Sequence, residues 1–256
     1  METDEIIRKI KEKRELLGLA DSIVKEELND YLLENKISLL TVNKKDTKLI
    51  ISGIREQLRR VTGQFHLGDA HVSVSERTKL YPFLSSILSS LKVKSVLDLG
   101  CGLNPIYLAK ENMIYFAYDI NEKELIDVDK YFKKNKIDGN VFVQDLRKGP
   151  QVFPKTDLCL MLKLFDSLET KGHKLAETII KKLDSQYLLI SFPTKTLSGA
   201  PMRHPQRGWI ERLLTRLEIP FQNFVTSNEI FYLAGKNTNQ REPLLLSTQE
   251  MQLSKE

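Results

Sequence analysis

The stretch SVLDLGCGLNP, residues 95–105, decides the fold. Ser95 to Gly100 is a short apolar run of strand length, and Gly100 and Gly102 fall where the strand would end and a helix begin. Glycines at such a junction let the backbone turn tightly and approach a ligand closely. The spacing is not the GxGxxG dinucleotide fingerprint, and no Walker Gly-Lys-Ser/Thr follows to hold phosphates. What remains is a D-x-G-x-G loop, with a purely structural turn as the rival reading.

Outward from this loop, the same pattern of short apolar runs alternating with amphipathic segments continues. The runs are SVLDLG (95–100), IYFAYDI (114–120), NVFVQDL (140–146), DLCLMLK (157–163), YLLISF (187–192), FQNFVTS (221–227) and EIFYLAG (229–235). The first five are separated by helical or linker segments, which marks a doubly wound parallel sheet. The last two are separated by Asn228 alone, which predicts a terminal antiparallel hairpin. An α/β, Rossmann-like seven-stranded sheet is therefore expected over residues 71–236.

Before it, apolar residues recur at helical spacing (Ile6, Ile7, Ile10; Ile23, Val24, Leu28; Ile50, Ile51, Ile54, Leu58), predicting a small helical domain over 1–70. Thr41 to Asp46 reads as a turn and Gly63 to Ala70 as a hinge. Ser75 to about Leu91 reads as a further helix, with Ser75 as its cap and Pro82 near its first turn. The tail 237–256 is polar with Pro243 and is expected to be disordered.

Composition narrows the function classes. The 256 residues are 41% hydrophobic and 29% charged, with 39 Lys plus Arg against 34 Asp plus Glu and a net charge of +5. No run approaches the ~18–20 apolar residues of a membrane span, and the N-terminus METDEIIRKIKEKRE is too charged for a signal peptide, so a cytoplasmic protein is expected. Cys101 and Cys159 show no CxxC or Cys/His spacing, which supports neither a disulfide framework nor a metal site. The charge is unevenly spread: Lys44, Lys45, Lys48, Arg55, Arg59 and Arg60 face only Asp46 and Glu56 within residues 44–60. That excess is either a phosphate-contacting face for RNA or a solvated helix surface.

The D-x-G-x-G form is that of S-adenosylmethionine enzymes, where the loop supports the amino-acid portion and ribose. Asp119 ends the second run about 20 residues on, the position from which a carboxylate accepts ribose hydroxyls. Asp145 and Leu146 end the third, where an acidic side chain can meet the adenine amino group; a helix-capping role for Asp119 and a turn role for Asp145 are the rival readings. The cofactor set is thus Asp98, Gly100, Cys101, Gly102, Asn104, Asp119, Ile120, Asp145 and Leu146. Arg77, before the first run, and Lys163, closing the fourth, are either cations able to reach a cofactor carboxylate or a substrate phosphate, or solvated helix and strand-end charges. His66, His71, His173 and His204 show no triad or metal spacing and are read as structural.

SERTKLYPFL, VLDLGCGLNP, AYDIN, MLKLFDSLE, SFPTKTLSG and EIFYL, in this order, resemble the aminoglycoside-resistance 16S ribosomal RNA guanine-N7 methyltransferases, over roughly residues 20–235. The resemblance implies a class I methyltransferase with a helical domain that docks on the small ribosomal subunit, acting as a monomer on a decoding-site guanosine. It also implies that Arg77 pairs with the methionine carboxylate and that Lys163 and Lys195 lie near the active-site mouth. Ring nitrogen 7 of guanine has a free lone pair and no proton, so no general base is needed; Asp166 is a candidate for easing the charge that moves onto the purine.

Two departures stand out: Asp166 occupies a position usually held by proline, and residues 200–208 make a basic loop where the family has an acidic one, its Arg203 and Arg207 being candidate RNA contacts. Another rRNA or tRNA target, a small-molecule substrate, or a non-catalytic ribosome-binding role are the alternatives.

Overall fold

The computed structural model describes residues 3–40, 42–62, 78, 80–148, 152–168, 172–196, 199–203 and 205–236, and the backbone of 66–67 and 70–71. Its centre is a seven-stranded sheet of β3 (Ser95–Leu99), β4 (Ile114–Asp119), β5 (Asp138–Val143), β6 (Thr156–Leu162), β7 (Ser185–Pro193), β8 (Phe221–Val225) and β9 (Glu229–Gly235). The spatial order is β5-β4-β3-β6-β7-β9-β8. The first five strands run parallel, and β9 inserts antiparallel between β7 and β8. Central strands covered on both faces read as continuous apolar runs; every residue of β9 is buried, whereas edge strand β5 is largely open.

All seven expected strands form, with boundary shifts that have physical causes. The third begins at Asp138 rather than Asn140 and ends at Val143. Phe132 lies directly over Gly139, where a β-carbon would sit 2.3 Å from its ring, so the chain is paired to β4 two residues before its apolar stretch begins. Asp145 and Leu146 consequently sit in the turn beyond the strand, not at its end. The hairpin loop spans three residues, 226–228, because Thr226 Oγ1 accepts the Glu229 amide (3.1 Å) and donates to the Glu229 carbonyl (3.0 Å).

The N-terminal segment contains α1 (Thr3–Lys11), a 3-10 turn (Arg14–Leu16), α2 (Asp21–Glu34) and α3 (Lys44–Val61). Asn43 starts α3 earlier than the expected turn, its side chain accepting from the amides of Lys45 (2.8 Å) and Asp46 (3.0 Å). The apolar faces of these helices close on one another around Ile10, Leu16, Val24, Leu28, Ile54 and Leu58. Two further cores, one on each face of the sheet, are filled from α4 (Tyr81–Ser90), α5 (Asn104–Leu108) and α6 (Glu122–Lys134) on one side. On the other they are filled from α7 (Phe165–Leu168), α8 (Lys174–Lys182) and α9 (Gly208–Arg216).

Helix α4 begins at Tyr81, with Leu80 before it and Thr78 in a turn, and so later than the helix expected from Ser75; Pro82 falls in its first turn, where the missing amide costs no hydrogen bond. Ser75, Arg77 and the tail 237–256 lie outside the described residues. A two-residue antiparallel pair, β1 (His66–Leu67) with β2 (Ala70–His71), falls in the segment expected to be a hinge. Among the described residues no helix is long and apolar enough to cross a membrane.

Among the described residues the helical segment is tied to the sheet domain by backbone bonds, ion pairs and the packing of Val61 into the core on one sheet face. Leu19 bridges Asn121, Ile120 carbonyl accepts the Ala20 amide (3.3 Å), and Gly18 carbonyl accepts the Lys123 amide (3.2 Å). Gly18 allows this approach: a β-carbon there would lie 2.3 Å from Asn121 Oδ1. Arg147 adds an ion pair to Glu27 (2.6 Å), and Lys148 one to Asp30 (2.5 Å).

Candidate active site

Beyond the carboxyl ends of β3, β4 and β6 lies a crevice open to solvent. Ligands bind at this edge in doubly wound sheets. Its floor is the glycine loop. Gly100 (φ +67°) and Gly102 (φ +50°) adopt the left-handed conformation that glycine tolerates at no cost. Tyr118 carbonyl accepts from the amides of Gly100 (2.9 Å) and Cys101 (3.0 Å), and Asp119 Oδ2 accepts from Gly102 (2.8 Å). A β-carbon on Gly100 would stand 2.7 Å from Leu164 Cδ1, so the loop can lie this close to the crevice wall only with glycine there.

Asp119 is the best-defined polar group of the crevice. Its Oδ1 accepts the Asn121 amide (2.9 Å) while Oδ2 holds the loop. Burial, and secondarily Glu124, push its carboxyl up to about 6 from 3.8, partly offset by the amides of Asn121, Gly102 and Ile120. Ile120, Leu146, Leu162, Leu164 and Leu168 supply apolar walls around it.

Of the other residues singled out from sequence, Cys101, Asp145 and Lys163 also line the crevice. Cys101 is buried, and desolvation together with Asp119 and Asp98 raises its thiol far above the usual range. Asp145 is turned toward Arg147, which donates through Nε (3.0 and 3.1 Å) and Nη2 (2.6 Å) to both carboxylate oxygens. Lys163 stands one residue past β6 with φ +55°, its ammonium 3.4 Å from the fully buried Glu229. Ser191 Oγ donates to the other Glu229 oxygen (2.7 Å).

Asp98 and Asn104 are buried beneath the loop instead: Tyr115 hydroxyl donates to Asp98 (2.8 Å) and Tyr81 hydroxyl to Asn104 (3.0 Å). They brace the loop from below and do not line the crevice. Lys195 and Arg203 are exposed on the loop after β7 and are not among the residues that line the crevice. Asp166 and Arg207, proposed separately as a charge-easing carboxylate and an RNA contact, form one ion pair at 2.9 Å. Arg207 also donates to Pro205 carbonyl (3.1 Å) and lies over the Phe192 ring at 5.4 Å, so both side chains serve to hold the loop 205–208. His173 stacks on Trp209 with ring centres 4.0 Å apart, a packing role; the side chains of His66 and His71, and His204, lie outside the described residues.

The basic helix divides in two. Lys44, Lys45 and Lys48 are exposed and point to solvent at the start of α3. Arg55 is turned inward, donating to the carbonyls of Lys9 and Ile10 at the end of α1 and facing Glu12 at 3.6 Å. That satisfies carbonyls the helix leaves open, so Arg55 is a structural clamp and not a phosphate contact. Arg55→Ala is expected to cost about 1.5–3 kcal/mol of stability in chemical denaturation while leaving the salt dependence of RNA binding unchanged. Arg59 pairs with Glu15 (2.6 Å) and Arg60 with Glu56 (2.6 Å), which leaves the helix less basic than its linear count.

Sequence reading missed Arg147, Gln144, Asn121, Glu124, Ser167 and Glu229. Asn121 was legible in principle, because a residue two after Asp119 that opens a helix is a cap position; its side chain accepts the Glu124 amide at 3.3 Å. Glu229 reaches Lys163 only across the fold, and Arg147, two residues from Asp145, reaches Glu27 only across the fold.

Comparison with known proteins agrees with this geometry. A family model described as Ribosomal RNA methyltransferase (FmrO) matches residues 29–233. The chain is 29% identical over 194 residues to the 16S rRNA (guanine(1405)-N(7))-methyltransferase of Serratia marcescens, covering 71% of this chain and 76% of that protein. It is 28% identical over 184 residues to the protein of the same name from Frankia casuarinae, covering 65% of this chain and 61% of that one. The crystal structure of the 16S rRNA methyltransferase RmtF in complex with S-adenosyl-L-homocysteine superposes with a TM-score of 0.72 at 22% identity, over 92% of this chain and 99% of that one. The fold is that of a class I methyltransferase preceded by helices, and the chain belongs to the ribosomal RNA methyltransferase (FmrO) family.

Proposed function

We propose that the protein transfers a methyl group from S-adenosylmethionine to ring nitrogen 7 of a guanosine in the decoding region of 16S rRNA, on the small ribosomal subunit. The observation that carries this is the Gly100–Gly102 loop hydrogen-bonded to Asp119 at the carboxyl edge of the sheet, in a chain of this family. The residues fit the cofactor. The loop is a cradle that a β-carbon on Gly100 would fill, and Asp119 keeps acceptor capacity for ribose hydroxyls beside its two amide donors. Ile120, Leu146 and Leu164 form an apolar slot of the kind a purine enters. Arg77 is assigned to the methionine carboxylate, and residues 1–70 to docking on the subunit.

When bound, the cofactor supplies the electrophilic methyl group. The chain's task is alignment, since the attacking nitrogen carries no proton to remove. Asp119 and the glycine loop fix the nucleoside, Leu162 and Leu164 keep water from one side, and Lys163, balanced by Glu229, stands at the wall facing the space where the base must enter. A base inside RNA must be turned out of its stack to reach this crevice. Asp166 is neutralised by Arg207 and exposed, so Asp166→Asn is assigned no effect on the chemical step. The acting unit is a single chain, in the cytoplasm with its ribosomal substrate.

The test is transfer of labelled methyl to separate samples of assembled small subunits, naked 16S rRNA and bulk tRNA. Label entering the small subunit and not tRNA supports the reading; label in tRNA alone overturns it.

A further inference from the structure

The crevice is not made by the sheet domain alone. One side is formed by Glu15 in the 3-10 turn, Leu19 just after it, and Val61 and Thr62 at the end of α3. These residues are fixed against the strand ends by the Leu19–Asn121 bridge and the amide of Ala20 on the Ile120 carbonyl. That carbonyl belongs to the residue after Asp119, so the helical segment grips the backbone that aims the ribose-binding carboxylate.

Glu15 faces the crevice in a defined position. Its Oε1 accepts from Arg59 Nε at 2.6 Å, and its own backbone amide together with Arg59 lowers its carboxyl below the usual range. A carboxylate held this way is ionised at neutral pH and offers acceptor sites to the hydroxyl and ammonium donors of a nucleoside bearing an amino-acid tail. Leu19 and Val61 are buried apolar surface beside it.

We infer that the helical segment supplies part of the cofactor site: Glu15, positioned by Arg59, is a binding residue, and Leu19 with Val61 is its apolar wall. This deepens the reading above and rests on it. Arg59 thereby acquires a role at the cofactor in place of the phosphate contact expected from its place in a basic run.

The two roles separate in protein free of RNA. S-adenosylhomocysteine affinity is measured by calorimetry for the full-length wild type, Glu15→Ala, the shape-preserving Glu15→Gln, Arg59→Ala and Arg59→Lys, with thermal midpoints recorded on the same samples without ligand. Loss of a charged acceptor predicts about tenfold or more weaker binding in Glu15→Ala. A smaller loss is expected in Glu15→Gln and Arg59→Ala, with substantial recovery in Arg59→Lys. Both side chains are partly solvent-exposed, 33% for Glu15 and 46% for Arg59, so the thermal midpoints should stay close to wild type. Wild-type affinity in both Glu15→Ala and Arg59→Ala overturns the inference, as does a loss that only follows the thermal midpoint. Failure of the wild type itself to bind overturns the cofactor reading on which it stands.

Discussion

Asp119→Ala is expected to weaken S-adenosylhomocysteine binding by two orders of magnitude or more while leaving a folded protein. Two charge-assisted hydrogen bonds to ribose hydroxyls are worth about 1.5–3 kcal/mol each, which sets that scale. The stability terms oppose one another. Removing the carboxylate strands the amides of Gly102 and Asn121, at about 1–3 kcal/mol each. It also relieves an ionised group that the fold disfavours: a carboxyl raised from 3.8 to about 6 costs roughly 3 kcal/mol when charged at neutral pH.

The sign of the pH effect follows. The folded ligand-free protein binds a proton at Asp119 more readily than the unfolded chain, so this group's contribution to stability improves as pH falls from about 6 toward 4. Cofactor affinity runs the other way. If the ionised carboxylate is the acceptor, binding at pH 5 should be about tenfold weaker than at pH 7.5. Calorimetry at both pH values reads this directly. Equal affinity at the two pH values, or wild-type affinity in the alanine variant, contradicts the assignment of Asp119.

Glu229→Ala is expected to cost about 3–5 kcal/mol of stability, the usual consequence of leaving one partner of a buried ion pair behind. In a protein of this size that corresponds to a fall of about 10 °C in thermal midpoint. Glu229 is 0% exposed and Lys163 6%, at 3.4 Å, and Ser191 hydroxyl is also directed at Glu229. Replacing both charges, as Lys163→Met with Glu229→Leu, should recover most of the loss, because well-packed apolar residues often equal or exceed a buried pair in stability. The double variant is nevertheless expected to be impaired in methyl transfer, since Lys163 faces the crevice. Scanning calorimetry of the two variants decides the matter: a single variant as stable as wild type would mean the pair is not energetically buried.

Which features were legible in the sequence follows from how local their causes are. Strand identity rests on apolar runs of five to seven residues, and VLDLG, AYDI and FYLAG declare themselves without reference to anything distant. The glycine loop is likewise local, since its positive φ angles are needed where the strand turns into the helix. The third strand was misplaced by two residues because its start depends on Phe132 packing over Gly139, and a glycine in sequence reads as punctuation.

The charges were the least legible. Arg55, Arg59 and Arg60 form a basic run when counted along the chain, yet Arg55 finds carbonyls 45 and 46 residues away and Arg59 finds Glu15, 44 residues away. Asp145 was identified as a strand-end carboxylate, but nothing local shows that Arg147 ties it to Glu27, 120 residues from that arginine. Asp166 and Arg207 were read as two functions and are one ion pair. Partner choice is a property of the folded chain, and a linear count of charge cannot contain it.

The central claim, methylation at ring nitrogen 7 of a decoding-site guanosine, is tested most directly by mapping the product. Assembled small subunits are incubated with the protein and S-adenosylmethionine, and the extracted 16S rRNA is reduced and cleaved at N7-methylguanosine. The account predicts one new cleavage, at a decoding-site guanosine, absent when the protein carries Asp119→Ala. Methyl incorporated into the rRNA without any new cleavage, or cleavage confined to a site outside the decoding region, would contradict it.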